Sequence, residues 1–135
     1  MRTFPAILMI ALWLGPVARA EPAADAIEDV ISDQIAAFRA DDFATAFTFA
    51  SPGIQRLFGT HERLGQMVRN GYPMVWRPED LRYLDLRGAG TARQQIVEIV
   101  DRAGQVHRLE YSMVRTASGW RIDGVRVLEA APPLT

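Results

Sequence analysis

The chain has 135 residues, 49% of them hydrophobic, with 15 basic and 16 acidic side chains and no cysteine. Every basic residue is arginine, so lysine is absent as well. These two gaps exclude disulfides, thiolate nucleophiles, Cys-ligated metal centres, Schiff-base lysines and the lysine of a phosphate-binding loop. What remains is acid–base or binding chemistry by Arg, Asp, Glu, Tyr, Ser, Thr and two histidines.

The first twenty residues read as a secretory leader. Met1-Arg2 gives a positive start, Phe4 to Leu14 is almost continuously apolar, and Ala18-Arg19-Ala20 is a small-x-small cleavage site. The uncharged run from Thr3 to Ala18 would reach only about 24 Å as a helix, short of the ~30 Å hydrocarbon core. Cleavage after Ala20 is therefore expected, with no stable membrane anchor afterwards. No cysteine follows the cut to carry a lipid. Removing Arg2 and Arg19 leaves 13 basic and 16 acidic groups, a formal charge of −3, which does not suggest a nucleic-acid binder. Residues 21–135 read as one α+β domain that must hold together by packing alone. An exported domain without disulfides fits a periplasm better than open extracellular space.

In chain order, Ile27, Val30, Ile31, Ile35 and Phe38 recur at helical spacing and predict a helix over about residues 23–40. Asp41 or Asp42 can cap a short second helix carrying Phe43 and Phe47, which Ser51-Pro52-Gly53 should stop. Ile54 to Phe58 is expected to form one turn, closed by Gly59. Thr60 can cap a helix to about Asn70 whose buried face is Leu64, Met67 and Val68. Met74 to Pro78 is expected to cross as an extended piece, because a residue before proline avoids helical angles.

From Leu81 the period falls to two. A strand from there, with Leu81, Tyr83 and Asp85 alternating against Arg82, Leu84 and Leu86, ends at Gly88-Ala89-Gly90. Strands follow over Gln94–Asp101, Val106–Arg115 and Trp120–Leu128, joined by Ala103-Gly104 and Ser118-Gly119, which together read as an antiparallel meander. Gly124 interrupts the last strand. A bulge there would bring Trp120, Ile122, Val125 and Val127 onto one face, with Asp123 as a turn or bulge partner. Ala131-Pro132-Pro133 reads as a frayed tail.

Several residues carry a family likeness in this order: Ile35-Ala36-Ala37-Phe38 with Asp41-Asp42, Ala50-Ser51-Pro52-Gly53-Ile54, Tyr72-Pro73, Val75-Trp76-Arg77-Pro78, and Gly119-Trp120-Arg121-Ile122-Asp123-Gly124-Val125. The chain resembles the nuclear-transport-factor-two-like superfamily, which includes the SnoaL and ketosteroid-isomerase folds. Within it the chain looks like the bacterial domain-of-unknown-function 4864 family over about residues 28–128. The resemblance implies a cone-shaped α+β fold, with N-terminal helices packed on a curved antiparallel sheet of about four strands. It implies no activity and supplies no catalytic residues.

Two motifs fail on inspection. Gly88-Ala89-Gly90-Thr91-Ala92-Arg93 lacks the third glycine of a dinucleotide loop and joins two strands rather than opening a helix. His61-Glu62-Arg63-Leu64-Gly65 has glycine where a zinc helix needs its second ligand, and two histidines cannot make a three-histidine site. No metal and no cofactor is therefore expected. The candidate binding residues are Tyr111, His107, Trp76, Arg77 and Tyr72. His107 shares strand parity with Leu109, Tyr111 and Met113 and should face the concave side, as a rim donor or base. Tyr111 lies deeper as a core tyrosine or a ligand donor, Tyr72 offers a second hydroxyl, Trp76 offers an aromatic wall, and Arg77 offers an anion clamp. Glu98 would be a general base if it pointed inward, where burial would raise its pKa.

The second sheet face, carrying Val106 and Val114, is apolar enough to suggest a homodimer. The functional reading is an exported, non-enzymatic module that binds a small apolar or amphipathic ligand or a partner. Two alternatives stay open: an acid–base isomerase, dehydratase or hydrolase of the cone fold, and a purely structural dimerisation module. A cavity below about 150 Å³ would remove the ligand and enzyme readings together, since binding pockets typically exceed about 300 Å³.

Overall fold

One apolar stripe organises the helical half. Ile27, Ile31, Ile35 and Phe38 lie on one side of α1 (Pro22–Arg39) and are all buried, as spacing of three to four residues requires. The computed structural model describes residues 2–3 and 22–128. The leader expected over residues 1–20 (all but 2 and 3) and the tail at 131–133 lie outside the described residues.

Asp42 caps α2 (Phe43–Thr48), its carboxylate accepting from the Thr45 amide at 3.2 Å. Hydrogen bonding from Thr45 holds this carboxyl below its ordinary pKa. Ser51-Pro52-Gly53 not only follows α2 but opens α3 (Pro52–Phe58). The Ser51 hydroxyl accepts from the Ile54 amide at 3.2 Å, and proline in the first turn loses no hydrogen bond there. Thr60 caps α4 (His61–Gly71) as expected, with Leu64 and Val68 buried. The segment expected to be extended after Tyr72 instead makes a single helical turn, α5 (Pro73–Trp76). Pro73 starts that turn, and Pro78 pushes Arg77 out of helical angles, at φ −136° and ψ 64°.

The other half is a four-stranded antiparallel meander in the order β1-β2-β3-β4: β1 (Asp80–Ala89), β2 (Ala92–Val100), β3 (Val106–Thr116) and β4 (Gly119–Leu128). β2 begins two residues earlier than the sequence suggests. The tight β1–β2 turn depends on Gly88 at φ 79°, where a Cβ would lie 2.9 Å from the Ala92 carbonyl oxygen. The register aligns Tyr83, Val97, Leu109 and Val127 across the sheet, and likewise Gln95 with Tyr111 and Val125. This inner face meets the helices, and Val97, Ile99, Leu109, Tyr111, Met113, Trp120 and Ile122 form one core with α1 and α4 residues.

Two bulges correct the simple alternation. In β1 the register shifts between Tyr83 and Leu86, so Leu86 rejoins the inner face and Asp85 leaves it. Gln95, 1% exposed, spans the irregularity by donating to the carbonyls of Leu84 and Asp85 at 3.1 and 3.3 Å and of Ile96 at 2.9 Å. In β4, Ser112 faces Gly124 while Met113 faces Ile122, so Asp123 is the extra residue. The bulge read at Gly124 is therefore present, and it returns Trp120 and Ile122 to the same face as Val125.

The outer face is more charged than Val106 and Val114 alone suggest. Arg108 pairs with Glu98 at 3.4 Å and Arg126 with Glu110 at 3.0 Å, beside an exposed Val106 and a half-buried Val114. No helix among the described residues is long and apolar enough to cross a membrane.

Packing of α2 on α4 turns on Gly65. A Cβ there would come within 2.8 to 3.2 Å of three Phe43 ring atoms, and that ring is already held by Arg69, 5.1 Å from its centroid, and by Phe38 at 6.1 Å. Gly65→Ala should therefore lower stability by about 1–3 kcal/mol through overpacking, although alanine alone favours a helix by ~1 kcal/mol. Urea denaturation tests this. A higher midpoint for the variant would contradict the close approach.

Candidate functional site

The β4 bulge is tied to the helices through the chain just before α3. Ala50 forms a parallel bridge with Ile122. Ile122 N donates to the Phe49 carbonyl and Ser51 N to the Ile122 carbonyl, both at 2.8 Å. The Ser51 hydroxyl donates to Asp123 Oδ1 at 2.7 Å, tying the bulge residue to the start of α3. Gln55 ties α3 back by donating to the carbonyls of Phe47 and Ala50 at 3.0 and 3.2 Å. These contacts hold α3 at the edge of the sheet and leave open space between α1, α3, α4 and β4.

That space is a pocket of about 360 Å³, with Phe38, Phe58, Met67, Val68, Ile122 and Val125 among its walls. Gln34 and Tyr72 are the two lining residues with a polar side-chain group; no charged side chain lines it. Leu57, 73% exposed, also lines it, on the side of α3 that faces solvent.

A second cleft, of about 450 Å³, brings together Trp76, Arg77 and His107 with Asp101, Arg102 and Gln105. Most of its polar groups are already engaged. Asp101 Oδ1 accepts from the amides of Ala103 and Gln105, both at 2.9 Å, and Oδ2 lies 2.8 Å from His107 Nε2. An ionised carboxylate only accepts, so Nε2 carries the proton in this contact. The His107 bond, followed by the turn amides, holds the Asp101 carboxyl below its ordinary range.

Arg77 clamps an internal anion. Its Nη2 donates to both Asp41 oxygens, at 3.2 and 3.1 Å, its Nη1 donates to the Arg39 carbonyl, and its guanidinium lies 4.7 Å from the Trp76 ring centroid. Trp76 Nε1 donates to the same Asp41 at 2.9 Å. Asp41 is the one non-glycine described residue with positive φ, at 55°, a conformation that aspartate tolerates better than most residues. Trp76 and Arg77 thus fasten a left-handed turn at the end of α1.

The sequence candidates separate into four places. Tyr72 lines the apolar pocket, while Trp76, Arg77 and His107 share the second cleft. Tyr111 lines neither; it is fully buried in the core. Glu98 sits opposite Arg108 on the outer face, because Ile99 and Val97 take the inward positions on either side of it. Its conditional role as an inward base is therefore corrected. His61 pairs only with its neighbour Glu62, at 3.3 Å, and the described residues include no group of three or more His, Asp or Glu that could hold a metal. Two residues went unnoticed in the sequence. Gln34, 4% exposed, sits within the buried stripe of α1, and a polar residue seven places after Ile27 and four before Phe38 was the available signal. Asp101 offered none, since it meets His107 only once the hairpin closes.

The Tyr111 hydroxyl is buried with no hydrogen-bond partner. Burial, with Tyr83 nearby, pushes its pKa above the ordinary phenol range. Tyr83 itself is anchored: its hydroxyl donates to the Glu28 carbonyl at 2.9 Å and pairs with Ser32 Oγ. Burial raises the Tyr83 pKa too, against the Ser32 bond. An orphaned buried hydroxyl costs about 1–3 kcal/mol. Tyr111→Phe should therefore raise the urea midpoint, by an amount equivalent to about 1 kcal/mol. A lower midpoint would show that the hydroxyl has a stabilising partner.

Comparison with known proteins places this architecture. A family model described as domain of unknown function (DUF4864) matches residues 20–135. No curated protein matches the sequence. The fold is similar to a Campylobacter jejuni protein carrying the name NTF2-like transpeptidase, with TM-score 0.53 and 10% identity over 71% of this chain and 95% of that one. It is also similar to a SEC-C motif containing protein from Rhodopseudomonas palustris, with TM-score 0.53 and 14% identity over 79% of this chain and 89% of that one. At such identities the likeness is one of fold. With its helices packed on a four-stranded antiparallel sheet in the NTF2-like manner, the chain belongs to the domain-of-unknown-function 4864 family.

Proposed function

We propose that this domain binds a small apolar or amphipathic molecule in the pocket between α1, α3, α4 and β4. One observation carries the reading: a pocket of about 360 Å³ lined by apolar side chains, with two polar side chains among them. Small-molecule sites are typically about 300–1,000 Å³ and mostly apolar, with a few placed polar groups. The volume also stands against a purely structural module, whose core would fill this space.

A binding role is favoured over acid–base catalysis by what the walls contain. The lining has no carboxylate or imidazole, and the inner face of the sheet carries no Asp or Glu among the described residues. An isomerase-like site of the SnoaL or ketosteroid-isomerase type would need an inward carboxylate near a tyrosine hydroxyl. Tyr72 lines the pocket without one. Together with the leader read in residues 1–20, the reading is of an exported binding domain.

Naphthalene serves as a purely apolar probe. Titrated into ¹⁵N-labelled protein, it should shift the amides of Ile54, Val68, Ile122 and Val125 with a Kd on the order of 100 µM. Ile54 lines the pocket from α3 and is only partly buried, so Ile54→Trp should fill the space while keeping the fold. That variant should weaken naphthalene binding at least about tenfold. Unchanged affinity in a folded Ile54→Trp protein would rule out this pocket as the site.

A further inference from the structure

Gln34 is the feature of the pocket that packing does not explain. It lines the cavity and is 4% exposed, on the stripe of α1 otherwise filled by Ile27, Ile31, Ile35 and Phe38. Its Nε2 donates to the Ala46 carbonyl at 3.2 Å, which orients the amide. Ala46 does not depend on it, because the same carbonyl accepts from the Phe49 amide at 3.2 Å. Among the described residues Oε1 has no partner, and Nε2 keeps a second, unused N–H. Gln95 makes the contrast: its buried amide donates to three carbonyls and closes a strand bulge. An amide on an otherwise apolar wall leaves hydrogen-bonding capacity that a leucine of similar size would not.

We propose that Gln34 is the polar recognition group of the pocket, and that the ligand carries an uncharged head that both donates and accepts a hydrogen bond, such as a primary alcohol. This inference rests on the pocket being a binding site. A hydroxyl head donates to Oε1 and accepts from the free Nε2–H, completing the amide. A carboxylate cannot donate to Oε1, and an ammonium cannot accept from Nε2. Either would also enter a lining that has no charged side chain to pair with it, so its desolvation would go uncompensated. The head then lies against α1, and the apolar tail runs between α4 and β4 towards exposed Leu57.

The test compares three probes, 1-octanol, octanoate and naphthalene, on wild type and Gln34→Leu at pH 7.5, with affinities read from amide shifts. Wild type should bind 1-octanol at least about tenfold more tightly than octanoate. Gln34→Leu should weaken 1-octanol about tenfold relative to its own naphthalene affinity. Octanoate binding as tightly as 1-octanol, or unchanged 1-octanol affinity in Gln34→Leu, would overturn the head-group assignment while naphthalene binding upheld the pocket. If naphthalene also fails to bind wild type, the pocket reading falls and the assignment with it. Should Gln34→Leu not fold, the wild-type preference still decides, together with nuclear Overhauser contacts. Contacts from the Gln34 side-chain amide protons to the carbinol methylene support the assignment; contacts to the terminal methyl instead contradict it.

Discussion

The β4 bulge is the constraint on which the remaining architecture depends. A strand alternates its side chains with period two, so one inserted residue exchanges the faces of everything beyond it. Asp123 is that residue. Without it, Trp120 and Ile122 could not share a face with Val125, and one pair would point away from the helices. With it, Ile122, Gly124 and Val125 form one wall of the pocket. The same irregularity supplies the anchor for the opposite wall, since Asp123 Oδ1 accepts from Ser51, and Ser51 caps α3. One inserted residue thereby shapes the sheet and positions the helix that faces it.

Buried polar groups show how the chain balances stability against an open site. Gln95 directs its amide nitrogen to the carbonyls of Leu84, Asp85 and Ile96 and so spans the β1 bulge. The Tyr111 hydroxyl is not used at all, and its ring fills the core beside Gln95 and Val125. Gln34 lies between these cases, half satisfied at the edge of an apolar space. Under the proposed binding role, this is where packing gives way to a ligand. Trp76, Arg77, His107 and Asp101 behave differently. Their hydrogen bonds are directed mainly at the protein itself, holding the Asp41 turn and the β2–β3 turn, so the cleft they line is largely a by-product of two fastened loops.

Much of this was legible in the sequence, where local physics decides. The stripe of α1, the Asp42 and Thr60 caps, the three glycine-bearing hairpin turns and the Gly124 bulge all follow from periodicity and turn chemistry, and each is present. The failures share a cause as well. Proline signals only where a helix cannot continue, so Ser51-Pro52-Gly53 reads as a stop although it opens α3, and Met74 to Pro78 reads as extended although Pro73 opens a helical turn. The inward or outward sense of Glu98 depends on the register of β2 against β3, which one strand alone does not reveal. The candidate site was legible in kind more than in membership. Tyr72 lines the pocket, whereas Tyr111, which parity puts on the inner face as a core residue or a ligand donor, is buried in the core. Pairings such as His107 with Asp101, and Ser51 with Asp123, exist only after distant segments meet.

The bulged strand and α3 border unfilled apolar space. Crystals of the domain pressurised with xenon test this directly, because xenon enters apolar cavities without needing a polar partner. Xenon density is expected between Met67, Val68, Ile122 and Val125, with those side chains unmoved. An empty difference map, with Met67 and Phe58 folded into the space, would contradict it.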